Sequence, residues 1–354
     1  MKTAKTHRKK PTIFIFIAGF IAIAFWISAN KEPDIHHAQF TALGTLIELS
    51  ARDIDDDKSD VILNEIQTTL DDIHNSWHAW KPSRLTEINN NIHNQGAILN
   101  KDERAILKQA IKLAENSDHL FNPLLGQLIS LWGFQNDAPP DTPPSDEAIH
   151  AFMQAPPAIG DLSWENGRLT TQHPSLYFDL GGFAKGYAID QAVEILKQHG
   201  VEHAIVNAGG DLRAIGNAGE RPWRIGIRDP RGAGVFALVE TRNDESVFTS
   251  GDYERFFEYR GQRYHHLLDP RNGYPATASL SVTVIHPDAG TADAAATAIF
   301  VAGPKDWLRI AAKMGVRQVM LVDQHRTVYM SADMVSRIQF LTDPPPATVI
   351  RSIP

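Results

Sequence analysis

The chain contains no cysteine in 354 residues. Thiol catalysis, disulfides and thiolate-bound zinc are thereby excluded, and the absence suits any compartment, including an oxidising one where a stray thiol is a liability. Positive charge is also scarce. The net charge is -8 and no basic stripe interleaves with aromatics, which argues against a nucleic-acid partner. The two common phosphate-loop fingerprints are missing: Gly181, Gly182 and Gly186 do not spell G-x-G-x-x-G, and no G-x-x-x-x-G-K-[ST] surrounds them. There is no fixed-period repeat. What remains is a globular composition, 43% apolar and 21% charged, long enough for one large domain or two ordinary ones.

One long apolar run stands out. Lys2, Lys5, Arg8, Lys9 and Lys10 form a basic stretch, and Pro11 to Ala29 then pass without a charge. Such a pairing reads as an export signal or a membrane anchor. The run is close to the roughly 20 residues that span a bilayer, although Ile27 and Ala29 offer a passable cleavage site. With the basic flank held inside, the rest of the chain faces outward. The expected organisation is a basic cytoplasmic segment at 1–10, an anchor or signal at 11–29, a tether at 30–39, the main domain at 40–345 and a tail at 346–354. The expected location is the inner membrane, with the domain in a periplasm-like space.

Periodicity supplies the elements. Phe40–Ser50 alternates as a strand with Gly44 inside it, a glycine of the kind that marks close approach of a ligand or backbone. Residues 59–80 have helical period, with Val61, Ile62, Ile66, Leu70 and Ile73 on one face, and Lys101–Ser117 repeats the pattern. Asp137–Asp146 is a proline-rich loop, with Ser145 or Asp146 placed to cap the following helix. "SLYFDL" reads as a strand, and the helix after it ends at Gly200. Strands follow at "HAIVNAGGD", Trp223–Asp229, Val235–Thr241, Arg255–Tyr259, Ser279–Ile285 and "VRQVMLVD". These outnumber what a simple doubly wound sheet needs, so the expected class is α+β, with mixed sheets flanked by helices.

Four stretches carry possible chemistry. In "FDLGGFAKGYAID" (Phe178–Asp190) an aspartate, glycines and a lysine sit where a strand meets a helix, a place that favours anions. Asp179 would repel a phosphate there, so either it binds something else or a cation lies between. On pattern alone, a ligand-free turn and a nucleotide loop both stay open. In "GTADAAATAIFVAG", Asp293 and Thr297 are four apart and share a helix face, an oxygen pair suited to Mg²⁺. The plainer alternative is that Thr291 caps the helix, Asp293 complements its dipole and the alanines pack. "YHHLLDPRNGYPA" pairs two histidines at a strand end, as a general base or as structural groups. "FTSGDYERFF" places Ser250, Gly251 and Asp252 before an aromatic run, and "SWHAWKP" offers Trp77 and Trp80 for stacking on a heterocycle or for helix-end packing.

In order, "LGTLIEL", "SWHAWKPSRLTEINN", "LFNPLLGQLISLWGF", "DLGGFAKGYAIDQAV", "VNAGGDLRAIG", "SGDYERFF", "HHLLDPRNGYP" and "TADAAATAIFV" resemble the FAD:protein FMN transferases, the ApbE-type flavin transferases. The resemblance runs from about Phe40 to about Leu341. It implies an ApbE-like fold and a Mg²⁺-dependent transfer of FMN from FAD, through its phosphate, to a threonine or serine of an exported acceptor, releasing AMP. Carried over by position, the metal ligands would be the carbonyl of Gly182 and the side chains of Asp293 and Thr297. Asp179 would contact the FAD, plausibly its adenine, and Leu43, Trp80, Leu120, Phe121, Asn122, Lys185 and Leu267 match other FAD-contact positions. His266 matches the histidine that helps activate the acceptor hydroxyl. The implied partner is a redox subunit of a membrane electron-transfer complex. Many members have Asp-Pro-Thr where this chain has Asn122-Pro123-Leu124, and many are lipoproteins acylated on a cysteine, so here the apolar run would be the anchor. Two alternatives are an FAD pyrophosphatase giving FMN and AMP, and a non-catalytic exported FAD-binding protein.

Overall fold

Apolar–polar alternation builds the largest element, a nine-stranded sheet whose strands neighbour one another in chain order: β1 (Ile35–Ala42), β2 (Thr45–Arg52), β3 (Ala204–Ala208), β4 (Asp211–Ile215), β5 (Glu245–Gly251), β6 (Ser279–His286), β7 (Gln318–Asp323), β8 (Val328–Ser331) and β9 (Thr348–Arg351). Every pair is antiparallel except β8 with β9. The computed structural model describes residues 35–354 apart from 55, 137 and 139. The basic and apolar runs expected to form the anchor lie outside the described residues. Among the described residues no helix is long and apolar enough to cross a membrane.

One face of the sheet is covered by helices. We label α1 (Asp56–Trp77), α2 (Arg84–Asn91), α3 (Lys101–Asn116), α4 (Gly126–Leu131), α5 (Asp146–Met153), α6 (Ala184–Gln198) and α7 (Ala289–Lys313). α7 packs along β5 and β6, α6 lies beside α7, and α1 beside α6. Consecutive residues of β7 divide between faces. Val319 and Leu321 join the helix-side core, while Met320 and Val322 join a second core under the small sheet of Arg224–Arg228, Val235–Glu240 and Ile338–Phe340. A third cluster, with Trp132 and Phe134, supports the hairpin of Phe256–Tyr259 and Gln262–His265.

Several boundaries differ from the sequence reading. Gly44 is not inside a strand: with Leu43 it forms the two-residue turn joining β1 to β2, and both have positive φ, 55° and 72°. β1 begins within the expected tether, and β9 falls within the expected tail. Val61 is 58% exposed, whereas Ile62, Ile66, Leu70 and Ile73 are buried. "SLYFDL" makes only a single parallel bridge, Tyr177 with Leu125, and joins none of the sheets. Its donors go elsewhere, Phe178 N–H to the side-chain oxygen of Asn89 at 2.7 Å and Asp179 N–H to the Pro123 carbonyl at 2.8 Å. The buried Asn89 amide also donates to the Phe178 carbonyl at 3.0 Å, so one side chain replaces a strand neighbour. The cap of α7 is Asp288, not Thr291; its carboxylate accepts the Thr291 N–H at 2.6 Å.

Candidate functional site

The polar residues of interest meet where α6 and α7 begin side by side. Glycine makes the approach possible: a Cβ on Gly186 would stand 2.2 Å from the carbonyl oxygen of Ala289. That closeness lets the Gly186 N–H donate to Asp293 Oδ2 at 3.0 Å across the helix pair. One turn further along α7, Thr297 Oγ1 lies 3.4 Å from where a Cβ of Gly182 would be, and 3.4 Å from Ser250 Oγ at the end of β5. The three positions expected to hold a metal therefore converge, although 111 residues separate Gly182 from Asp293 in the chain.

Burial and neighbouring charge act strongly on Asp293. Burial pushes its carboxyl up to about 7, Asp211 and Glu254 push the same way, and Lys185 with the Gly186 N–H opposes them. The second Asp293 oxygen accepts no hydrogen bond among the described residues. A carboxylate, a hydroxyl and a backbone carbonyl are hard oxygen donors, so the set fits Mg²⁺ completed by water or phosphate rather than a soft metal. Among the described residues no three His, Asp or Glu side chains cluster as a metal cage.

Asp179 sits at the other end of the turn. Its Oδ1 accepts the Gly181 N–H at 2.7 Å and its Oδ2 accepts Trp80 Nε1–H at 2.9 Å. The Trp80 ring stacks on Tyr177 at 4.9 Å, with planes 12° apart, and the Tyr177 hydroxyl donates to the Ala79 carbonyl at 2.8 Å. Trp80 is thus an ordered aromatic plate, while Trp77 is packing at the end of α1. The Phe121 ring lies 3.4 Å from the same Gly182 position. Leu120 and Leu267 are buried in the helix-side core. Asn122 Oδ1 accepts the Leu124 N–H at 3.0 Å, closing a local turn. Leu43 packs on the helix-side core at the β1–β2 turn.

Lys185 is not a free cation. Its Nζ donates to Asp211 Oδ2 at 2.8 Å, and Asp211 Oδ1 accepts the Thr249 N–H at 2.8 Å. Burial alone would lower the Lys185 pKa, but Asp211, Asp293 and Glu254 outweigh it and raise it. Desolvation, then Asp211, also raise the pKa of Glu254, although its side chain reaches the surface. Asp211 and Glu254 escaped the sequence reading, although both lie in stretches singled out there. The two histidines separate in role. His265 Nε2–H donates to the Ala276 carbonyl at 2.8 Å and its Nδ1 accepts the Leu267 N–H at 3.3 Å, a structural group with both nitrogens engaged. His266 Nδ1 meets the Arg255 carbonyl at 3.3 Å; a carbonyl only accepts, so the hydrogen is on Nδ1 and the lone pair on Nε2. Burial, then Arg255 and His265, lower its pKa to about 3 and keep it neutral at ordinary pH.

Fold and site together describe an α+β protein in which oxygen-bearing residues from the starts of two helices, Asp293 and Thr297 on α7 and Gly182 before α6, come together. A model of the ApbE family matches residues 43–321. The chain is 35% identical over 321 residues to a FAD:protein FMN transferase of Rhodobacter capsulatus, covering 90% of this chain and 61% of that longer relative. It is also 35% identical to the enzyme of the same name from Treponema pallidum, over 73% of this chain and 76% of the relative. The crystal structure of the ApbE protein from Thermotoga maritima superposes with a TM-score of 0.77 at 33% identity, covering 85% of this chain and 98% of that one. The chain belongs to the ApbE family, and so to a family of transferases.

Proposed function

We propose that this protein is an FAD:protein FMN transferase that uses Mg²⁺ and attaches FMN through a phosphoester bond to a threonine or serine of an exported acceptor. The observation that carries the reading is the convergence of Gly182, Asp293 and Thr297 beside Lys185 and the Trp80–Asp179 pair. Asp179 and Trp80 would hold the adenine end of FAD, with Leu43, Leu120, Phe121, Asn122 and Leu267 forming the rest of its cradle. Gly182, Asp293 and Thr297 would hold the ion, which when bound neutralises charge on the diphosphate and the departing AMP.

In the transfer, the acceptor hydroxyl oxygen forms a bond to the FMN phosphorus while the bond to the AMP oxygen breaks. Lys185 adds positive charge next to the diphosphate, and Nε2 of neutral His266 takes the hydroxyl proton. The low pKa of His266 makes it a weak base in the protein alone. A diphosphate beside it raises that value, because an anion favours the protonated ring. With the N-terminal run as anchor, the acceptor would be a redox subunit of a membrane electron-transfer complex on the periplasmic side.

The test is incubation with FAD and Mg²⁺, with and without an acceptor carrying a threonine flavinylation motif. A fluorescent acceptor band in a denaturing gel is the expected result. FMN and AMP released without acceptor labelling would replace transfer by hydrolysis, and tight FAD binding without turnover would remove both.

A further inference from the structure

Asp190 is no part of the expected ligand set, yet it ties together the two helices that carry that set. Asp190, on α6 and buried, accepts the Ala289 N–H on Oδ1 and the Gly290 N–H on Oδ2, both at 3.0 Å. These are donors of the first turn of α7, which lack partners within their own helix. Asp293 makes the reverse contact, from α7 to the Gly186 N–H at the start of α6. Gly186 and Asp190 are one turn apart on α6, as are Ala289 and Asp293 on α7. Two carboxylates of opposite direction thus hold the helix pair at a separation that only glycine at 186 permits.

The same carboxylate is tied to the sheet. Arg213 Nη1 donates to Asp190 Oδ1 at 2.5 Å and Arg213 Nε to Asp244 at 2.8 Å. Two residues before Arg213 on β4, Asp211 pairs with Lys185 at 2.8 Å. α6 is therefore stitched to one strand by two ion pairs of reversed polarity, Lys185 to Asp211 and Asp190 to Arg213. The second of these also carries the start of α7.

We infer that Asp190 is a positioning residue: through the first turn of α7 it sets the register of Asp293 and Thr297 against Gly182, and hence the affinity for the divalent cation. The inference rests on the metal reading proposed above. A carboxylate that loses its anchoring neighbours keeps its charge but not its geometry, and removal of such supporting groups lowers metal affinity by roughly 10–100-fold. Asp190→Asn keeps one acceptor oxygen and replaces the other by a donor, so one of the two N–H contacts survives. It should fall between the wild type and Asp190→Ala.

The experiment combines Mn²⁺ binding, read by electron paramagnetic resonance, with amide hydrogen exchange on the full chain. Asp190→Ala should weaken Mn²⁺ binding by about tenfold or more and speed exchange at Ala289, Gly290 and Gly186. Ile225→Ala, in the apolar core on the far face of the sheet, serves as a control that lowers thermal stability without touching either readout. Unchanged exchange at those amides in Asp190→Ala overturns the inference, as does a loss of Mn²⁺ affinity in Ile225→Ala matching that in Asp190→Ala. If the wild type binds no Mn²⁺ or Mg²⁺, the metal reading fails, and the exchange result alone then decides whether Asp190 sets the helix register.

Discussion

The two faces of the large sheet are built from one set of strands but different chemistry. On the far face, Leu212, Val247, Met320, Val322 and Met330 meet Ile225, Phe236 and Val239 in an apolar layer. On the helix face, small alanines of α7 bring backbones close, and into that space are set Asp190, Asp211, Arg213 and Asp293, all buried. β4 shows the contrast within five residues: Leu212 and Ala214 belong to the apolar layer, while Asp211 and Arg213 pair with α6. Buried charges cost free energy unless paired and hydrogen-bonded. The far face holds one such pair, Glu245 with Arg337, whereas on the helix face four of these charges meet beside the candidate site, which marks that face as the one retained for chemistry.

The comparison breaks most sharply at Asp293. Asp293→Ala removes the only carboxylate of the expected ligand set and should abolish Mg²⁺-dependent labelling of an acceptor, by at least about two orders of magnitude. Full activity in that variant would refute the assignment. Next in size is Gly186→Ala, whose new methyl would meet the Ala289 carbonyl. Overpacking of this kind costs about 1–3 kcal/mol, and it should lower the melting temperature and divalent-ion affinity together. A melting temperature equal to that of the wild type would show that the helices can separate without cost.

A smaller effect follows from protonation. The Asp293 carboxyl is raised to about 7 by burial and then Asp211. Proton and cation compete for the same oxygens, so Mg²⁺ binding should weaken as pH falls through about 7 and strengthen above it. The sign for stability is opposite. An acid whose folded pKa lies above its unfolded value, near 3.8, favours the protein while protonated, so the metal-free protein should lose stability as pH rises from about 4 through about 7. Added Mg²⁺ should restore it at the upper end. Calorimetric titrations and thermal melts across that range check both slopes; a flat Mg²⁺ affinity would remove Asp293 from the ligand set.

How much of this was legible in the sequence depends on separation along the chain. Asp293 and Thr297 were visible as a pair because one helical turn joins them, and periodicity alone reveals a turn. Trp80 and Asp179 are 99 residues apart and meet through a side-chain hydrogen bond that no local pattern announces. Asp190, Asp211 and Arg213 look in sequence like solvated charges on a helix and a strand, and only the packing of α6 onto β4 buries them. The strand read at "SLYFDL" fails for a related reason: its apolar residues are buried, but Asn89 and a loop take the hydrogen bonds a ladder would have used. Gly44 reads as the interior of one strand because the alternation continues on both sides of a two-residue turn.

The smallest effect on the site should come from a cut in the apolar face. Met330→Ala, in a residue 3% exposed within the second core, removes packing at a place without polar neighbours of the site. A buried methionine truncated to alanine costs about 2–5 kcal/mol. If the two faces divide the work as described, this variant should melt earlier yet, well below its melting temperature, bind FAD and Mg²⁺ as the wild type does. The sheet transmits a cavity on one face to the other only if β7 and β8 shift, and their ladder from Met320–Met330 to Val322–Val328 opposes such a shift. A change in Mg²⁺ affinity as large as that from Gly186→Ala would show that the site depends on the precise curvature of the sheet. The distinction between a supporting face and a working face would then be lost.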